Sequence, residues 1–465
     1  MSTWYSLQEH AELRKRGSYC LLVDGRLQDF WVLHPSEALV LSLLDGELDV
    51  NELTFLMAET YRLSSSDARC RVDAVLERTK PALCVSREPH RHVRRYDPEA
   101  FVFPGFDKRP GHTEPLESPA AIDLMLTARC NFACRYCYFR SGQRLTPDLS
   151  LDLALSAIEE AADMGVALVN LGGGEPLLYP HISELVSAIR EAGMALAAFS
   201  TNGLLLHEKM IRDLLSAGLE SIQVSVDSPN AETHDYLTRT RGTLEPVLQG
   251  VRSLKAHEAW VRTRSVIGPA NCDEVADLID LLAELGVDRI DIGPEESGSC
   301  EVQCPKAVDT LTEAQAAQVR RTVKNKADQY GDRVISYHDN EAPWKKGQVR
   351  VRCGNLYASC VICPTGNVTL CEMTCNTPEL SYGNLRRQSL RDVWLGPAHQ
   401  RLLEKTADPS RVDKECAVCG LLPYCRTGCF NLSEVHKGDF FAKDPRCRGP
   451  YNAEGKGSHS GVSLP

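Results

Sequence analysis

The chain is 465 residues long, 43% apolar and carries a net charge of −11. That length leaves room for two or three domains with substantial cores, and the acidic balance argues against a general affinity for nucleic-acid phosphates. No apolar run reaches the ~18 residues of a membrane span. The first residues mix Glu9, Glu12, Arg14, Lys15 and Arg16 where a secretory segment would be apolar, so a cytoplasmic location without membrane association is expected.

In chain order, residues 1–88 read as a small α+β domain. Strand-like runs Tyr19–Val23 and Asp29–Leu33 flank the turn Asp24-Gly25. Helical patterns follow over Pro35–Leu44, Val50–Tyr61 and Ser65–Lys80, with Ser64, Ser65 or Ser66 as an N-cap. Two strands and then three helices is a winged-helix-like order. Residues 89–119 hold Pro89, Pro98, Pro104, Pro110, Pro115 and Pro119 and read as a linker, with His90–Arg95 as a solvated basic stretch.

Over residues 120–330 strands and helices alternate. The strands are Ile122–Leu126, Ala167–Leu171, Ala195–Phe199, Ser221–Val226, Val261–Ile267 and Arg289–Ile292. Between them lie helical stretches such as Leu151, Leu155, Ile158, Ala162 and Ile182, Leu185, Val186, Ile189. Repetition every ~25 to 35 residues implies an α/β fold with a parallel sheet, open or closed into a barrel, whose ligand lies at the C-terminal strand ends. Residues 331–450 are cysteine-dense and short of long apolar runs, as in a segment stapled by metal. The Gly- and Ser-rich tail, 451–465, reads as disordered.

Nineteen cysteines exceed ordinary usage, and in a reducing compartment clustered cysteines read as metal ligands rather than disulfides. Cys130, Cys134 and Cys137 follow the first barrel strand with the spacing C-x3-C-x2-C. Three thiolates on one loop can hold a four-iron cubane and leave one iron open to a small molecule; three buried cysteines, or part of a zinc site lacking its fourth ligand, are the alternatives. Leu171-Gly-Gly-Gly-Glu-Pro176 follows the second strand, Ser200-Thr-Asn-Gly203 the third, and Ser225-Val-Asp-Ser-Pro229 ends the fourth. The glycines permit close backbone approach, the glutamate suits a cationic amine, and the short polar groups suit a ribose or a carboxylate. His234, beyond the fourth strand, reads as helix-start packing.

This ordered set resembles the radical S-adenosylmethionine (SAM) superfamily, and the resemblance implies a partial (β/α)6, TIM-like barrel. It implies a [4Fe-4S] cluster on Cys130, Cys134 and Cys137 whose open iron chelates SAM. Tyr136 would lie near the adenine, Gly173, Gly174 and Glu175 would hold the methionine amine, and Ser225 and Asp227 would contact ribose or carboxylate. The arginine for the SAM carboxylate is open between Arg239 and Arg241, because the expected Arg-Gly after His234-Asp235 is displaced.

The C-terminal spacing Cys353-x12-Gly366-x4-Cys371, then Cys416-x2-Cys419-x5-Cys425-x3-Cys429 and Cys447, resembles the SPASM extension with two auxiliary [4Fe-4S] clusters. By that resemblance Cys353, Cys371, Cys429 and Cys360 hold the first, with Cys363 competing with Cys360. Cys416, Cys419, Cys425 and Cys447 hold the second. The pattern from Leu33 to Gly46, with Glu52-Leu-Thr and Tyr61, resembles the peptide-recognition element fused to enzymes that modify ribosomally made peptides. Such an element takes a leader peptide as an added strand on its sheet edge.

The implied function is oxidative maturation of a precursor peptide through a 5′-deoxyadenosyl radical, forming a thioether or another cross-link. A flavodoxin or ferredoxin would donate the electron. The alternatives are a radical SAM dehydrogenase, sulfatase-maturase-like or acting on a small molecule, and a non-catalytic, zinc-stapled peptide-binding scaffold.

Overall fold

The computed structural model describes residues 3–16, 19–26, 29–90, 95–101, 115–137, 139, 147–294, 311–331, 334–337, 356–375, 380–407, 410–420, 422, 427–439, 441–445, 447 and 449–450. The chain divides into two compact units, 1–116 and 117–465.

In the first unit β1 (Trp4–Leu7), β2 (Ala11–Arg16), β3 (Tyr19–Asp24) and β4 (Asp29–Leu33) precede α1 (Pro35–Ser42). Then come β5 (Asp45–Asp49), α2 (Val50–Tyr61), α3 (Ser65–Thr79) and β6 (Leu83–Ser86). Two antiparallel sheets result, β2-β3-β4 and β5-β1-β6. The two expected strands and three helices are present, and four further strands join them. Strand β2 is hidden in the sequence because only Ala11 and Leu13 are apolar among charged neighbours. They face the core while Glu12 and Lys15 face solvent.

The helix starts follow their caps. His34 with Glu37, and Asp49 with Glu52, form reciprocal capping pairs, and the Ser64 hydroxyl accepts from Asp67 N–H. Arg78 on α3 pairs with Glu37 at 2.8 Å and donates to the Val32 carbonyl at 3.3 Å, tying α3 to β4.

The second unit is built on parallel strands β7 (Ala121–Thr127), β8 (Leu168–Gly173), β9 (Ala195–Thr201), β10 (Ser221–Ser225), β11 (Trp260–Ile267), β12 (Arg289–Pro294) and β13 (Val334–Tyr337). Helices α4 (Leu151–Asp163), α5 (Ile182–Glu191), α6 (Glu208–Ser216), α7 (Ala231–Thr238), α8 (Leu244–Ala256), α9 (Val275–Glu284) and α10 (Glu313–Gln329) lie between them. The six expected strands are all there, and β13 extends the sheet.

The C-terminal segment adds β14 (Ser359–Ile362), parallel to β7, and then β15 (Asn367–Thr369) and β16 (Gly383–Asn384), antiparallel. The ten strands run β13-β12-β11-β10-β9-β8-β7-β14-β15-β16. Among the described residues the sheet has two ends, as a partial barrel does.

On α5 the stripe Ile182, Leu185, Val186, Ile189 is buried as its spacing implies. On α4 the buried stripe is Ala154, Ala157, Ile158, Ala161, which leaves Leu151, Leu155 and Ala162 at its margin. Asp291, fully buried, is held by Arg262, Arg289 and Ser336 and stitches β11, β12 and β13 together. Among the described residues no helix is long and apolar enough to cross a membrane.

Candidate functional site

Strand β7 ends at Thr127, three residues before Cys130, and the loop that follows is held from three sides. The Thr127 hydroxyl donates to Asp148 at 2.6 Å and accepts from Arg129 N–H at 3.0 Å, while the Arg129 guanidinium pairs with Asp148 and reaches the Leu178 carbonyl at 2.9 Å. From α7, the carbonyls of Thr238 and Leu237 accept from Ala133 and Arg135 N–H at 3.1 and 2.9 Å. The Arg135 guanidinium stacks 3.9 Å from the Tyr236 ring centroid. His234, buried in α7, meets Phe132 edge to face at 6.3 Å, and neither of its ring nitrogens has a hydrogen-bond partner among the described residues. Arg239, left-handed at the end of α7, and Arg241 are both exposed.

The third side is the end of β8. Gly174 N–H donates to the Thr127 carbonyl at 2.7 Å and Glu175 N–H to the Arg129 carbonyl at 2.8 Å. A Cβ on Gly174 would sit 2.0 Å from the Arg129 oxygen, and one on Gly173, at φ +134°, would sit 2.5 Å from the Thr127 oxygen. The glycines let β8 close against the segment that leads into Cys130, so the close approach is of chain to chain.

Glu175 is buried, and its carboxylate accepts from Leu177 N–H at 3.0 Å, Thr201 Oγ1 at 2.7 Å and Asn202 N–H at 2.8 Å. Burial raises its pKa and these three donors oppose the rise. The side chain therefore works as a strut between the ends of β8 and β9. Asn202 in turn donates to Asn131 Oδ1 at 2.7 Å and to Cys130 Sγ at 3.7 Å.

Asp227, beyond β10 and buried, accepts from the Tyr136 hydroxyl and from Val266 N–H at 2.8 Å. Burial raises its carboxyl to about 6 against those bonds. The Tyr136 hydroxyl also lies within hydrogen-bond reach of the Cys134 thiol. Ser225, half-buried, ends β10 on the same rim.

Cys130, Cys134 and Cys137 interact electrostatically with one another, so the loop does bring the three thiols together. Burial pushes Cys130 up to about 11 and raises Cys134 further, with Asp227 and the other two thiols adding to the rise at Cys134. Three converging, half-buried thiols of that kind give up their protons when a polycationic centre binds, which inverts the local preference. Asn131 Nδ2 is buried beside them with no hydrogen-bond partner among the described residues, a donor left over for a bound group. The residues present fit an open iron–sulfur cluster.

Further along the chain, Cys416, Cys419 and Cys447 also converge. Burial, then Cys447, Asp413 and Cys419, push the Cys416 thiol up to about 12. Asp444 ties two of the cysteine segments together, accepting from Cys429 N–H at 2.9 Å through its carboxylate and from Cys447 N–H at 2.9 Å through its carbonyl. Cys371 follows β15, and Cys353 and Cys425 lie outside the described residues. Cys360 on β14 is fully buried in the same apolar layer as Ile122 and Leu124, within hydrogen-bond reach of Tyr382.

The expectation of unpaired cysteines needs one correction. Cys363 and Cys375 are disulfide-bonded with Cα atoms 5.6 Å apart, because the β14–β15 hairpin folds the turn after Cys371 back onto Cys363. Asn131 and Asn202 touch each other beside Cys130, a contact that the motif Ser200-Thr-Asn-Gly203 does not reveal. Their only signals are an amide inside the cysteine loop and one in the Thr-Asn-Gly turn.

Residues 124–282 match the radical SAM superfamily, and residues 353–420 match the SPASM iron-sulfur cluster-binding domain. The AdoMet-dependent heme synthase of Methanosarcina barkeri is 26% identical over 351 residues, 71% of this chain and 96% of that protein. The PqqA peptide cyclase of Xanthomonas euvesicatoria is 27% identical over 343 residues, 72% of this chain and 90% of that protein. Streptococcus suis SuiB with bound S-adenosylmethionine shares the fold at TM-score 0.66 and 16% identity, covering 95% of this chain and 100% of that one. SuiB has also been solved with its precursor peptide SuiA.

Proposed function

The chain belongs to the radical SAM superfamily and carries an SPASM iron-sulfur domain, and on that premise we propose that it oxidatively modifies a ribosomally synthesised precursor peptide, forming a thioether or another cross-link. The observation that carries this reading is the order of parts. A small domain with an edge strand precedes a barrel whose strand ends gather Cys130, Cys134 and Cys137, and a cysteine-rich segment follows. The similarity to a PqqA peptide cyclase and to SuiB, which binds a precursor peptide, supports a peptide substrate.

When bound, the open cluster with SAM supplies a 5′-deoxyadenosyl radical able to take hydrogen from an unactivated carbon. The residues of this chain hold and orient that chemistry. Cys130, Cys134 and Cys137 would be the ligands, and Gly173 and Gly174, which press β8 against their loop, would with Glu175 form the segment that holds the methionine amine. Glu175 locks the β8 and β9 ends together, and Asp227 fixes Tyr136. Ser225 is placed on the same rim for a ribose or carboxylate contact. Cys416, Cys419, Cys425 and Cys447 would hold one auxiliary cluster, and Cys353, Cys360, Cys371 and Cys429 the other. Bond formation by loss of two hydrogens needs an electron acceptor, which gives these clusters a purpose.

In the N-terminal unit β4 is an edge of the β2-β3-β4 sheet and has α3 beside it through Arg78. A leader peptide would add there as a strand. A flavodoxin- or ferredoxin-type donor would supply the first electron, in the cytoplasm.

The test is anaerobic turnover of the reconstituted chain with a candidate precursor peptide, with and without its leader. 5′-Deoxyadenosine together with a peptide lighter by two hydrogens, dependent on the leader, is the expected result. Leader-independent oxidation of a serine, a cysteine or a small molecule would replace this reading with the dehydrogenase. A colourless protein holding zinc and no iron would replace it with the scaffold.

A further inference from the structure

The carboxamide of Asn202 can sit in only one orientation. Its Oδ1 accepts from Leu204 N–H at 3.1 Å, so Nδ2 must face the other way, where Asn131 Oδ1 lies at 2.7 Å and Cys130 Sγ at 3.7 Å. A flipped amide would set a carbonyl oxygen against Asn131 Oδ1 and an N–H against that of Leu204. The backbone of Asn202 is held as well, since its N–H donates to the buried Glu175 carboxylate at 2.8 Å. Cys130 Sγ therefore receives two donors, Phe132 N–H at 3.4 Å and the Asn202 amide. In the same contact Asn202 occupies the oxygen end of Asn131, which leaves the Asn131 amide nitrogen buried and without a partner among the described residues.

From this geometry we propose that Asn202 is a positioning residue for the site cluster: it donates to the Cys130 thiolate, raising the cluster's reduction potential, and it fixes Asn131 with a free amide donor beside the site. The proposal rests on the reading that Cys130, Cys134 and Cys137 hold an iron–sulfur cluster. A cluster that accepts an electron becomes more negative, so a donor on its thiolate stabilises the reduced form more than the oxidised one. Among the described residues no cationic side chain acts on Cys130. Directed N–H donors are the means by which this chain can ease reduction of a centre that must be reduced before SAM is cleaved. Glu175 acts one step back, by setting where Asn202 stands.

The test is a redox titration of the reconstituted full-length chain by electron paramagnetic resonance. It reads the signal that changes when SAM is added, in the wild type, N202A and N202D. N202A removes the donor and the Leu204 contact together. N202D keeps an oxygen for Leu204 N–H and replaces only the donor, with an added negative charge.

The midpoint potential is expected to shift negative in both variants, further in N202D, with iron content and circular dichroism unchanged. An unchanged potential in both variants would overturn the proposal. So would a shift in N202A alone, which would mean loop distortion, or loss of iron from folded N202D, which would mean a structural role. C130A separates this from the underlying reading: if the SAM-sensitive signal survives in C130A, it is the cluster assignment that has failed.

Discussion

Replacing Gly174 with alanine tests whether the end of β8 positions the cysteine loop. The new Cβ would lie 2.0 Å from the Arg129 carbonyl oxygen, 2.6 Å from its carbon and 3.1 Å from the Ala128 oxygen. A carbon–oxygen contact needs about 3.3 Å, so the two segments must part by about 1.3 Å. All three clashing atoms are backbone, and none can rotate aside. Parting would break two hydrogen bonds, from Gly174 N–H to Thr127 at 2.7 Å and from Glu175 N–H to Arg129 at 2.8 Å. With each bond worth about 1 kcal/mol and overpacking about 1–3 kcal/mol, a loss of about 3–5 kcal/mol is expected. Since Arg129 adjoins Cys130, a displacement near 1 Å should slow SAM cleavage by about 10²-fold.

Gly193 is the control. Its φ is +72° and a Cβ there meets nothing within 4 Å. G193A should therefore cost only about 1 kcal/mol of left-handed strain and leave cleavage alone. 5′-Deoxyadenosine formation under excess reductant, iron content and thermal unfolding would be measured side by side. Wild-type cleavage and iron in G174A would refute the argument that this approach sets the loop.

C134A should form no 5′-deoxyadenosine and hold about four fewer irons per chain, because two thiols do not keep a cubane; continued cleavage would sink the mechanism. C360A should also lower iron by about four per chain, and if it does not, the first auxiliary cluster takes its fourth ligand elsewhere. D227A strands the Val266 N–H, worth about 1–3 kcal/mol when buried and unpaired, and leaves the Tyr136 hydroxyl only the weak Cys134 thiol, whereas Y136F costs one bond. Thermal unfolding should therefore place D227A clearly below Y136F. Asp280 is pushed up by burial but brought below its usual range by Lys326 at 2.6 Å and Tyr330 at 2.8 Å. A lowered carboxyl stabilises above the ordinary aspartate range near pH 4 and loses that contribution as pH falls through it. The gap between wild type and D280N, under about 1 kcal/mol after solvent screening, should be present at about pH 7 and vanish by about pH 3.

The strands β7 to β12 were legible because each carries several apolar residues, running together or, as in β11, alternating, between helical stretches, and the cysteine spacings were legible because they are local. Strand β2, with two apolar residues in a charged run, and the four-residue β14 were not. Their identity depends on partners, β3 in one case and β7 in the other, that are distant in the chain or carry the stronger signal.

At the site the division is the same. The residue types and their order already specify that Cys130, Cys134 and Cys137 sit at a strand end, with glycines, a glutamate and short polar groups at the ends that follow, because chemistry and spacing are properties of the chain alone. What each of those groups touches is decided only when parallel strands set their ends beside one another. The Glu175 carboxylate turns inward to Thr201 and Asn202, Asp227 takes the Tyr136 hydroxyl, and the glycines lie against the backbone of the segment leading into Cys130. A buried polar group bonds to whatever the fold brings within 3 Å, and that neighbour is set by register and strand order rather than by proximity in sequence.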